Sequence, residues 1–82
     1  MSEIKISLRE DVVKGLKEAG FKPNSQIIKN RLNGWLNLFF KLEAAGYENQ
    51  ETILDTLSGV ITDKYIHADT LVEVTVKTIV KI

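Results

Sequence analysis

His67 and Asp69 stand two residues apart, the pairing of a general base steered by a carboxylate. No nucleophile and no second acid lie near them in sequence, so a polar junction residue is the expectation for His67. The carboxylates Glu48, Glu51, Asp55, Asp63 and Asp69 miss the spacing of a calcium loop, which needs a Gly at its sixth position and a Glu at its twelfth. There is no Cys and only one His, which removes thiolate zinc, disulfides, a cysteine nucleophile and a histidine-built metal site. No glycine loop cradles a phosphate. The expectation is a non-enzymatic chain with no catalytic residue, no metal and no cofactor.

Two other groups of residues carry binding chemistry. Trp35, Phe39 and Phe40 could stack on a ligand or on nucleic-acid bases. Their helical spacing with Leu32, Leu36 and Leu42 instead places them in a core or at a dimer interface. Lys5 and Ser7 alternate with Ile4, Ile6 and Leu8, so they share the outward face of a half-buried strand with Glu3.

The elements that must position these residues follow from periodicity and punctuation. A strand is predicted over 3–8 and a first helix over 9–19, with Glu10 and Asp11 favoured by the dipole of its first turn. Val12, Val13, Leu16 and Ala19 supply its apolar positions, and Gly20 is its C-cap. A second helix is predicted over 24–45, with Asn24 or Ser25 as cap and Gly46 as terminator. It carries Ile28, Leu32, Trp35, Phe39 and Leu42 on one stripe, and it is apolar on nearly all sides from Trp35 to Phe40. Gly34 inside it suggests close approach of another helix. A third helix is predicted over 49–66, capped by Asn49, with Ile53, Leu57, Val60, Ile61 and Tyr65 inward. A long strand over 70–82 ends the chain, with Val72, Val74, Val76, Thr78, Val80 and Ile82 on one face. The first strand is too short to pair it fully. The last strand must therefore meet its own copy or leave an edge exposed.

The predicted fold is α+β in the order β-α-α-α-β, one domain over 1–82, with its helical core shared in an intertwined homodimer. Leu32, Trp35, Leu36, Phe39 and Phe40 are the expected interface. With 82 residues a lone core is marginal, and oligomerisation is a usual remedy.

The order strand, helix, glycine turn, helix resembles the ribbon-helix-helix proteins of the Arc and methionine-repressor class. The resembling residues are Ile4-Lys5-Ile6-Ser7-Leu8, Arg9-Glu10-Asp11-Val12-Val13, Gly20 and Asn24-Ser25-Gln26-Ile27. The resemblance implies a ribbon of two first strands in the DNA major groove, read by Lys5 and Ser7. It also implies a phosphate held at Asn24 and Ser25, with Lys22 adding a backbone contact. It covers residues 3–45; residues 47–82 have no counterpart in the minimal fold.

Lys+Arg and Asp+Glu both number 11, so bulk charge does not attract nucleic acid. The charge is nevertheless segregated. Residues 1–46 hold eight Lys/Arg against five Asp/Glu, and residues 47–82 hold three against six. A small DNA-binding transcriptional regulator is thus the first functional expectation. The alternative is a non-enzymatic protein-interaction module, such as a small viral or plasmid assembly, adaptor or inhibitor protein, that binds a partner through its C-terminal strand or helical face. No apolar run nears the ~20 residues of a membrane span, and the composition fits a reducing cytoplasm.

Overall fold

The computed structural model describes residues 3–7 and 10–80. Leu8, Arg9, Lys81 and Ile82, assigned from sequence to the first strand, first helix and last strand, lie outside the described residues. The elements are β1 (Glu3–Lys5), α1 (Glu10–Glu18), α2 (Gln26–Ala44), β2 (Tyr47–Asp55), β3 (Val60–His67) and β4 (Glu73–Ile79). The four strands form one antiparallel sheet in the order β1-β2-β3-β4.

The order is therefore β-α-α-β-β-β, and the expected third helix over 49–66 is absent. Those residues form a hairpin. Ile53, Leu57, Ile61 and Tyr65 fall at four-residue steps, which mimics a helix stripe. Strand alternation with β-branched residues prevails: Thr52 and Leu54, then Ile61, Asp63 and Tyr65, point into the core. Asn49 sits in β2 at a bulge rather than at a helix cap, and Leu57 is 74% exposed at the hairpin tip rather than inward. The turn itself is built by Asp55 and Gly59. The Asp55 carboxylate accepts from the Leu57 and Ser58 amides at 2.9 and 3.3 Å, and Gly59 takes φ 69°. Those two amide bonds hold the Asp55 carboxyl below the usual carboxylate range.

Both helices cover one face of the sheet. Ile6, Val12, Leu16, Ile28, Leu32, Trp35, Leu54, Ile61 and Val80 form the core, with Ile4, Phe21 and Leu36 packed against it. In α1, Val12 and Leu16 face the sheet while Val13 points outward. At Gly15 α1 packs close against the strands, since a Cβ there would meet Leu54 Cδ2 at 3.0 Å. In α2 the buried residues Ile28, Leu32 and Trp35 hold the stripe that sequence periodicity assigns to it. Ser25 is the cap, its hydroxyl accepting from the Ile28 amide at 3.3 Å. Gly20 and Gly46 end the helices with φ 89° and 95°.

Gly34 lies on the exposed side of α2 with open space where its Cβ would be. Among the described residues no second helix approaches it. Gly34→Ala is expected to raise the unfolding free energy by about 0.5–1 kcal/mol through helix propensity. A higher melting temperature checks this. A lower one would show that a partner packs closely at that position.

Candidate functional site

The sequence-predicted residues fall in separate places. Lys5 is exposed on the open, helix-free face of β1, level with Ile53 of β2. Ser7 is exposed just beyond the end of that strand. Lys22 and Asn24 are exposed in the α1–α2 connection, where Ser25 caps α2. Among the described residues no hydrogen bond or ion pair joins the two groups. The open face mixes Lys5, Lys64 and Lys77 with Glu3, Glu51, Asp55 and Glu73, and Lys64 pairs with Glu51 at 3.4 Å. Of the five expected interface residues, Leu32 and Trp35 are buried inside the single chain. Leu36 and Phe39 are half-buried, and Phe40 is 59% exposed. Phe40 rests edge-on against Phe39, which in turn leans on Tyr65 of β3.

His67 ends β3 with both ring nitrogens occupied. Nδ1 accepts from the backbone amides of Asp69 and Thr70 at 3.2 and 3.1 Å. The ring proton is therefore on Nε2, which donates to the Ala45 carbonyl at 3.2 Å. The ring clamps the β3–β4 loop to the end of α2, with Tyr47 edge-on against it. It is the amide of Asp69, not its carboxylate, that meets the imidazole. A lone pair for base chemistry is not presented. Among the described residues no group of three or more His, Cys, Asp or Glu could hold a metal.

Asp63 is a functional-looking residue that spacing did not single out. It is fully buried, yet its carboxylate accepts from Trp35 Nε1 and Thr52 Oγ1, and from Asn49 Nδ2 at 3.4 Å. These partners come from α2 and β2, so the network fastens the helix to the β2–β3 hairpin. Asp63, Trp35 and Thr52 are buried and only Asn49 reaches the surface, so the role of the network is positional.

The arrangement that remains chemically available is the outer side of β4. Ile66↔Glu73 through Val60↔Ile79 pair β4 with β3, and no described strand lies beyond it. The direction of its backbone groups follows from two bonds. The His67 amide donates to the Val72 carbonyl, and the Val80 amide donates to the Gly59 carbonyl, each at 2.9 Å. N–H and C=O of one strand residue point the same way, alternating along the chain. Val72, Val74, Val76, Thr78 and Val80 thus bond inward to β3. Glu73, Thr75, Lys77 and Ile79 present theirs outward. On the helix-facing side Val74, Val76 and Thr78 are only half-buried, and on the open side Ile79 is 62% exposed. The loop before the strand adds Leu71, 67% exposed and held at φ 59°.

No described helix is long and apolar enough to cross a membrane. Comparison with protein-family models, curated proteins and solved structures finds no match to this chain.

Proposed function

We propose that this chain is a non-enzymatic protein-interaction module that takes up an extended strand at the outer edge of β4. The observation that carries the reading is the run of outward backbone groups at Glu73, Thr75, Lys77 and Ile79, flanked on both faces by incompletely covered apolar side chains. Main-chain bonds of this kind supply affinity in strand addition, and alternate side chains supply selectivity. Natural sheets usually blunt such an edge. Here Lys77 and Glu73 give it polarity, but there is neither Pro nor a bulge in β4.

DNA recognition through β1 draws less support from the same geometry. A ribbon that enters the major groove is two strands wide. One edge of β1 is already bonded to β2, so a ribbon of two β1 strands would carry β2 beside each.

The test uses the full chain against a library of short displayed peptides. Lys77→Pro removes an outward N–H and costs no bond to β3, a position where a strand tolerates Pro. Selected peptides are expected to lose at least tenfold in affinity for Lys77→Pro and to bind Lys5→Ala unchanged. Equal binding to both variants would overturn the reading. Random duplex DNA at ~50 mM salt is the second arm. Binding there that depends on Lys5 and Lys22 would favour the repressor instead.

A further inference from the structure

We infer that the strand taken up at β4 is β4 of a second copy, antiparallel and centred on Thr75. This rests on β4 being a strand-accepting edge, and it names the occupant. The charges decide the register. Opposite charges directly across an antiparallel pair are favourable, and like charges are not. A two-fold axis at Thr75 sets Glu73 of each copy opposite Lys77 of the other, twice over. An axis at Glu73 or Lys77 would oppose like charges. An axis at Val74 or Val76 would leave each charge facing Thr75 or an apolar residue.

The backbone agrees with that axis. Thr75, Glu73 and Lys77 are outward residues, so Thr75 bonds to Thr75 of the copy, and Glu73 to Lys77, in closely bonded pairs. Val74 then faces Val76 of the copy on the helix side, as a non-bonded pair with the closer side-chain approach. Both valines are half-buried in the single chain and gain cover from the pairing. The opposite end of the sheet competes poorly. Among the described residues β1 has three, with Glu3 and Lys5 outward, against four outward residues on β4.

The closing experiment is sedimentation equilibrium of the full chain and two charge variants. The wild-type chain is expected at twice 9.2 kDa. Glu73→Lys and Lys77→Glu should each weaken the dimer by about tenfold or more, because every dimer then carries two like-charge pairs. Mixed together, the two variants should restore a heterodimer, since each Lys then meets a Glu. Both side chains are exposed, so the variants keep their fold. Crosslinking reads the register directly, as the chain has no Cys. A bonded pair places its Cα atoms about 5.5 Å apart, within disulfide reach. With oxidised glutathione, Thr75→Cys should therefore form a covalent dimer, while Glu73→Cys alone should not. A chain that stays monomeric, or a dimer indifferent to both charge variants, overturns the self-pairing. If displayed peptides still require the Lys77 amide in that case, the interaction module stands and only its occupant is wrong.

Discussion

Asp63→Ala is expected to lower the unfolding free energy by about 2–5 kcal/mol, because two buried donors lose their acceptor at about 1–3 kcal/mol each. The substitution takes the carboxylate acceptor from the Trp35 indole N–H and the Thr52 hydroxyl, both of them buried. Each stranded group keeps its full desolvation penalty. A domain of this kind has a total stability of only about 5–15 kcal/mol, so the loss is a large fraction of the whole. Urea unfolding of both proteins measures the loss. The triple variant Asp63→Leu, Trp35→Phe, Thr52→Val removes donors and acceptor together and should recover most of it. A loss below about 1 kcal/mol for Asp63→Ala would show that the network does not fasten α2 to the hairpin.

Deleting residues 70–82 is expected to abolish the cooperative fold. Val80 is fully buried and belongs to the same core as Leu54 and Ile61. Burial of that one side chain is worth about 1.5–3 kcal/mol. The deletion also strips β3 of its pairing along seven registered positions and uncovers Tyr65 and Ile61 from one side. Circular dichroism and a thermal melt decide the matter. A truncated chain with an unchanged transition would make β4 a dispensable arm.

Local patterns in the sequence identify α2 and β4, because each is long and carries one period over its length. The stripe from Ile28 to Leu42 and the alternation from Val72 to Val80 both exceed what chance spacing produces. The β2–β3 hairpin was not legible in the same way. Residues Ile53, Leu57, Ile61 and Tyr65 satisfy a helical period, and only the Asp55-Thr56-Leu57-Ser58-Gly59 turn and the density of Thr, Val and Ile argue against it. A helix over 49–66 leaves out two strands, β2 and β3, and with them all three strand pairings of the sheet. It also hid the fact that β1 finds its partner in β2. Asp63 illustrates a deeper limit. Its donors Trp35 and Thr52 lie 28 and 11 residues away, so no local spacing could join them. The edge was half legible: a strand longer than its only predicted partner had to be left partly open. Which side of that strand faces outward needed the register with β3.

The sheet has two unequal ends, and the inequality bears on how far assembly can go. Pairing through β4 is isologous, so each contact consumes the same patch on both copies and stops. What the proposed dimer then shows to solution at both ends is β1, three residues long among the described residues. Endless growth into a fibre would need that second edge to hold as firmly as the first, and it offers half as many outward residues. In the proposed dimer, the few outward residues described on β1 would thus act as a chain terminator, closing an eight-stranded particle and withholding the template on which further copies would polymerise.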